Sequence, residues 1–419
     1  MKTKLLIPLL LLLTVGAAAQ TSRKEIFKDI NRSGTTYFAY PGPSQKVPTP
    51  APAGYKPFYI SHYGRHGSRY MTSNRYYEYA VPKLDTAAQL GILTAKGTEV
   101  LEMLHVAYDD ALNRDGDLTP LGGRQHREIA HRMYERFPEL LSQPLHVDAR
   151  SSTVGRCMIS MFNFCQELQG LNPELDIRMD ASRRDMRFVV ANEHIKLDET
   201  PQAVEYGERL DRMIDKVYKP ARLFKTLFTD VAKAGEFIDG QNLMNCLWNV
   251  SHDMQSVPEL GISLLDVLTK EELWGMFVID NSGWMVISGL VPGSTPYYLY
   301  QKEVRDSIVS FADRAIGSGE PSLSLRFSHD SSVLPLAYLM GLKEAMGATT
   351  DIEHLYKRIS LDKIIPMAGN IQLVFYRKDG SDDILVKFLL NENETSIPVK
   401  TDVAPYYHWK DVKSYWESR

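Results

Sequence analysis

Two arginines bracket a histidine in Arg65-His66-Gly67-Ser68-Arg69, directly after the apolar run Phe58-Tyr59-Ile60. A guanidinium carries a planar fork of donors that matches the oxygens of a phosphate or a carboxylate. Histidine can act as a nucleophile as well as an acid or base. Held between two such forks, the imidazole of His66 would face a bound phosphoryl group. Gly67 has no side chain, so backbone and substrate can approach His66 closely. A solvated basic turn after a strand would carry the same short motif, so the reading needs partners elsewhere in the chain.

Such partners occur downstream. A brief strand, Leu145 to Ala149, ends at Arg150, and Ser151 or Ser152 can cap a helix. The apolar face of that helix would be Val154, Met158, Met161, Phe162, Cys165 and Leu168. An arginine between a strand end and a helix N-terminus points into an anion site. Two His-Asp pairs follow. His252-Asp253 ends a helical run and reads as surface or helix-end chemistry. His329-Asp330 follows the β-type run Ser322 to Phe327 and precedes a helical stretch, Val333 to Leu342. Open α/β sheets bind ligands at such strand-to-helix junctions, which favours the second pair as functional.

In this order, Arg65-His66-Gly67-Ser68-Arg69, Arg150 and His329-Asp330 resemble the histidine acid phosphatases, the two-domain branch of the histidine phosphatase superfamily. That family includes phytases and multiple inositol polyphosphate phosphatases. Leu118-Thr119 followed by Gly122 and Gln125 also matches the family's pattern. The resemblance implies a phosphohistidine intermediate on His66. It assigns Arg65, Arg69, Arg150 and His329 to the phosphoryl oxygens, and Asp330 to protonating the leaving group and activating water. It calls for no metal and no other cofactor. The implied partner is a small-molecule phosphomonoester, with phytate or other inositol polyphosphates first. A broad acid phosphatase on sugar phosphates is the alternative, ahead of a phosphomutase or a non-catalytic phosphate binder. The inositol polyphosphate branch often has His-Ala-Glu where this chain has His329-Asp330-Ser331, which is the pattern of the acid phosphatase and phytase branch. Asp185-Met186-Arg187-Phe188 nevertheless resembles a segment of the inositol polyphosphate group. Arg183, Arg184 and Arg187 could receive further phosphates, or simply form a solvated face.

The elements that must position these residues are also legible. Residues 20–57 read as a short helix and a proline-rich linker. From 171 to 281 β-type runs fade and amphipathic helical faces take over, such as Leu210, Met213, Ile214 and Val217. The fold expected is α/β: an open mixed sheet flanked by helices, built from 58–170 and 282–419, with an inserted all-helical cap at 171–281. Trp284 to Ile287 reads as a β-type run resuming after the insert. Asp379-Gly380 turns Ile371–Tyr376 back onto Ile384–Leu389 as a hairpin.

The formal net charge of −4 gives no basic field to draw in nucleic acid. Lys2 and Lys4, the apolar run Leu5 to Val15 and Ala17-Ala18-Ala19 read as a signal peptide, residues 1–19. No later stretch is long enough to span a membrane. The cysteines are three, Cys157, Cys165 and Cys246, and the first two share a helix too widely spaced to bridge. An exported chain without a disulfide framework suits a periplasm, or secretion from a bacterium.

Overall fold

The computed structural model describes residues 21–190 and 199–419. The expected signal peptide lies outside them. β1 (Tyr55–Arg65) is buried from Phe58 onward and runs through the middle of the sheet. The other strands are β2 (His146–Ser151), β3 (Asp176–Asp180), β4 (Ser322–Ser328), β5 (Asn370–Lys378), β6 (Leu385–Leu390), β7 (Asn393–Thr395) and β8 (Tyr406–His408). The sheet has eight strands in the order β3-β2-β4-β1-β5-β6-β7, with β8 paired to β6. β1 to β4 pair in parallel, and β5 to β8 are antiparallel. The mixed sheet is the one expected, and the 371–376 and 384–389 runs form its β5–β6 hairpin.

Strand alternation divides the core. Ile60 faces the helices Pro120–Arg136 and Gly155–Leu171, where it packs with Ile129, Met133, Met161 and Phe164. Tyr59 and Tyr63 face the opposite layer, with Ile308 and Ala312 of helix Lys302–Ser318 and Leu334 of helix Asp330–Met340. A fully buried side chain of this kind contributes about 1.5–3 kcal/mol by leaving water. These two apolar layers hold the sheet that carries the site.

A third core lies within a helical layer. Leu243 and Leu247 of helix Gly240–Asp253 and Leu273 and Met276 of helix Lys270–Ile287 belong to it. So do Tyr77 and Leu84 of helix Arg75–Gln89 and Leu101 and Leu104 of helix Ala95–Ala111. The helical layer thus draws on two stretches of chain, and the earlier one precedes position 171. The interval 171–281 is not purely helical either, because β3 extends the sheet at its edge. Trp284 to Ile287 is the last turn of a helix that begins with a Thr269–Glu272 capping box. A short apolar run fits helix and strand equally, and the cap decides it here.

The helix Gly155–Leu171 buries Cys157, Met161, Phe164, Cys165 and Leu168, but Met158 and Phe162 are exposed. Its apolar stripe is rotated from the one expected. All the cysteines are free and buried. Among the described residues no helix is long and apolar enough to cross a membrane.

Candidate active site

Register assembles the site. Arg65 at the end of β1 lies opposite Ser328 at the end of β4, so the residues that follow each strand emerge side by side. The His66 N–H continues the ladder to the Ser328 carbonyl at 2.9 Å. The rings of His66 and His329 stand 5.6 Å apart, centroid to centroid. The loop after His66 is bound on every side. Gly67 N–H donates to Ser160 Oγ at 3.1 Å, and Ser68 N–H to Gln125 Oε1 at 2.8 Å. A Cβ on Gly67 would come within 2.4 Å of the Gly122 carbonyl oxygen, so only glycine fits. Gln125 and Gly122 thus support the loop, which is what their place in the sequence pattern contributes.

The His66 ring has a defined tautomer. Nδ1 lies 2.9 Å from the Gly67 carbonyl oxygen, which can only accept, so Nδ1 carries the proton. Nε2 is left with a free lone pair. Burial depresses the His66 pKa well below the usual value, and Arg65, Arg69, Arg156 and His329 add to the effect. The imidazole is therefore neutral and can act as a nucleophile even in acid.

Arg65 is fully buried and braced from two directions. Its Nη1 donates to the carbonyls of Thr36 at 2.6 Å and Ile365 at 2.7 Å. Its Nη2 forms an ion pair with Asp330 Oδ2 at 2.6 Å. Burial lowers the Arg65 pKa to about 10, which leaves it charged. Arg69 Nη1 donates to its neighbour's carbonyl at Tyr70, 2.9 Å away, and its guanidinium lies over the ring of Tyr37 at 5.6 Å. Asp330 is the first residue of its helix, and its Oδ1 accepts the Ser331 N–H at 2.7 Å. Burial raises the Asp330 pKa, but Arg65, Arg69 and His329 outweigh it, and the net shift is downward.

Arg150 does not join this cluster. Its Nε and Nη1 pair with Asp148 at 2.7 Å and Asp185 at 2.8 Å, and its guanidinium lies 5.1 Å from the Phe311 ring. Alternation along β2 turns it onto the sheet face covered by helix Lys302–Ser318. The place near the histidines belongs to Arg156, in the first turn of helix Gly155–Leu171. Arg156 Nη2 lies 3.5 Å from His329 Nδ1, and Ser152 Oγ lies 3.1 Å from His329 Nε2. The Arg156 Nε is buried without a partner among the described residues. Burial depresses the His329 pKa to about 4, and Arg156 is the largest charge acting on it. The sequence signal for Arg156 was present, an arginine beginning a helix five residues past the end of β2, but Arg150 stood at the strand end itself. Ser152 does not cap that helix with its side chain in the expected way. It faces His329 instead.

A model of the family described as "Histidine phosphatase superfamily (branch 2)" matches residues 64–210, starting at Gly64 in β1. Over those residues the chain is similar to that superfamily, and it is a phosphatase. A curated relative, multiple inositol polyphosphate phosphatase 1 of Gallus gallus, is 23% identical over 400 residues, covering 87% of this chain and 82% of the relative. The fold matches Bifidobacterium longum multiple inositol polyphosphate phosphatase solved with inositol hexasulfate, with a TM-score of 0.70, 17% identity and coverage of 92% and 97%. It also matches the phytase from D. castellii, with a TM-score of 0.70, 14% identity and coverage of 93% and 85%.

In this phosphatase the N-terminal segment does more than link. Residues Ile30–Tyr37 form a strap of 3-10 turns in which Ser33, Gly34, Thr35 and Thr36 are buried. It delivers the Thr36 carbonyl to Arg65 and the Tyr37 ring to Arg69. Gly34 packs against His252, whose ring a Cβ would meet at 2.5 Å. His252 and Asp253 are thus buried at a helix end rather than on the surface. His252 Nε2 faces Ser33 Oγ at 2.8 Å, and Asp253 Oδ2 accepts the Met71 N–H at 3.2 Å. Burial raises the Asp253 pKa to about 7, against the charge of Arg69. Nothing in the linker's composition signalled that it would cover the site. Arg183, Arg184 and Arg187 lie exposed on a 3-10 turn, Arg183–Phe188. Arg184 pairs with Asp185 at 3.4 Å, and Arg187 stacks on Phe188.

Proposed function

We propose that this phosphatase is an exported phosphomonoester hydrolase that works through phosphohistidine on His66, with inositol polyphosphates as its substrate class. The observation that carries the mechanism is the His66 tautomer: Nδ1 is tied to the Gly67 carbonyl and the free Nε2 lies among the charges of Arg65, Arg69 and Arg156. These guanidiniums and His329 receive the phosphoryl oxygens and offset the charge that develops in the transition state. Nε2 attacks phosphorus as the bond to the leaving oxygen breaks. Asp330 gives that oxygen a proton. Water then attacks phosphohistidine, Asp330 takes its proton, and inorganic phosphate leaves with His66 restored.

Asp330 is ionised at rest, because Arg65 holds its pKa down. A bound phosphate dianion competes for Arg65 and brings negative charge close by, which raises the pKa of Asp330. The proton is therefore acquired with the substrate. The substrate class is supported by the relatives named multiple inositol polyphosphate phosphatase and by the neighbour solved with inositol hexasulfate. Arg183, Arg184 and Arg187 are candidates for its further phosphates. The leader expected at 1–19 carries the export part of the proposal. Phosphate release from phytate, glucose phosphates and p-nitrophenyl phosphate, compared across pH, tests the reading. A kcat/KM for phytate below that for the simple sugar phosphates would exclude the substrate class.

A further inference from the structure

The peptide that follows Arg69 is held from both sides. Its carbonyl, on Tyr70, accepts from Arg69 Nη1 at 2.9 Å. Its N–H, on Met71, donates to Asp253 Oδ2 at 3.2 Å. The peptide is trans, so it is planar, with N–H and carbonyl pointing in opposite directions. Chemistry fixes the sense of both hydrogen bonds. A guanidinium and an amide N–H only donate, a carbonyl only accepts, and a carboxyl offers an acceptor oxygen whether neutral or ionised. A chain therefore runs from Asp253 through one peptide to Arg69, and its sense does not depend on the charge of Asp253.

The flanking backbone groups are bound elsewhere. Tyr70 N–H donates to the Asp117 carbonyl at 3.0 Å, and the Met71 carbonyl accepts from Gly116 N–H at 2.7 Å. Among the described residues only Asp253 takes the Met71 N–H. Asp253 is the last residue of helix Gly240–Asp253, so the contact ties the helical layer to the loop after β1.

Arg69 has few other holds. Its Nε is buried without a partner among the described residues, and the Tyr37 ring lies 5.6 Å from its guanidinium carbon. Arg69 is the foremost charge acting on Asp253, yet among the described residues no ion pair joins the two. A direct pair would spend the guanidinium fork on the carboxylate. Contact through the peptide holds one nitrogen and leaves the other donors for an anion.

Resting on the phosphatase reading above, we propose that Asp253 is a positioning residue for Arg69. It fixes the Tyr70–Met71 peptide, and the Tyr70 carbonyl in turn aims the guanidinium at the phosphoryl oxygens. Asp253 acts through that peptide and takes no part in the chemistry at His66.

Sulfate is the probe for the clamp, because it is a dianion that the enzyme does not hydrolyse. Its affinity is measured by calorimetry on the full chain at pH 5, where Asp253 is neutral because burial raises its pKa to about 7. Asp253→Asn keeps an acceptor without changing the charge, so it should bind sulfate like the native protein. Asp253→Ala leaves the Met71 N–H without its acceptor and should bind about two- to tenfold more weakly, the scale of one hydrogen bond. Its kcat/KM for p-nitrophenyl phosphate should fall by a similar factor. General damage to the fold would do the same, so the measurement is repeated in an Arg69→Ala background. There the peptide has no guanidinium to aim, and adding Asp253→Ala should cost nothing further. Asp253→Leu fills the same space and decides where Asp253→Ala does not fold. Native sulfate binding by Asp253→Ala would overturn the proposal. So would equal weakening by Asp253→Asn, or an undiminished loss of kcat/KM in the Arg69→Ala background. If sulfate binding follows the expected order in a protein that hydrolyses no phosphomonoester, the phosphatase reading alone falls.

Discussion

Arg65 Nη2 stands 2.6 Å from Asp330 Oδ2, so the residue before His66 is ion-paired with the first residue of the helix after β4. The pair joins the two halves of the site and sets the resting charge of Asp330. It also implies that substrate must share Arg65 with Asp330 before a proton can be delivered.

The first prediction separates acid from clamp. Asp330→Asn keeps the size of the side chain but cannot deliver a proton. An inositol or sugar alkoxide needs protonation as it leaves, whereas p-nitrophenolate barely does. Single-turnover rates should therefore fall by about 10²–10⁴ on phytate and far less on p-nitrophenyl phosphate. Equal losses on both would remove Asp330 from the proton-donor role.

Arg156 and Arg150 should behave differently. Arg156→Ala should lower kcat/KM by about 10²–10³ on both substrates, the scale of losing one transition-state donor. Arg150→Ala removes the cation that Asp148 and Asp185 share, so its main effect should be a lower melting temperature. Steady-state kinetics and thermal unfolding of both variants check this. A reversed pattern would return Arg150 to the site.

The pH profile should have a distant acid limb. His66 is neutral at every pH above its depressed pKa, and His329 gains a proton only near 4. First-step rates on p-nitrophenyl phosphate should therefore hold from pH 6 to pH 5 and fall only toward pH 4. A midpoint near 6.5, the ordinary histidine value, would mean that His66 is solvated and free of its cationic neighbours.

Stability should respond at the other end of the scale. The Asp253 pKa is raised to about 7 by burial, above its unfolded value near 3.8. The folded state therefore holds a proton that the unfolded chain releases, and stability from this group is lost as pH rises between those values. Asp253→Asn should leave the melting temperature nearly unchanged at pH 4 and raise it relative to the native protein at pH 8. Thermal unfolding at both pH values reads the difference.

How far the sequence could be read follows from the same residues. Arg65, His66, His329 and Asp330 were legible because each sits at a strand end, where backbone register alone brings them together. The mixed sheet was legible from its apolar runs. Arg150 misled because strand alternation, invisible without knowing which helix covers which face, turned it toward Phe311. The strap was illegible for a different reason. Its role rests on main-chain carbonyls and on a left-handed Thr35, with φ of 49°, and neither leaves a compositional trace.

The central claim is the covalent intermediate, and trapping it tests that claim most directly. The protein is mixed with radiolabelled phosphomonoester, quenched in alkaline denaturant within the first turnover, and digested for mass spectrometry. Phosphate should appear on Nε2 of His66, because Nδ1 is occupied by the Gly67 carbonyl, and His66→Ala should carry none. Label on another residue, on Nδ1, or on His66→Ala to the same extent would contradict the account.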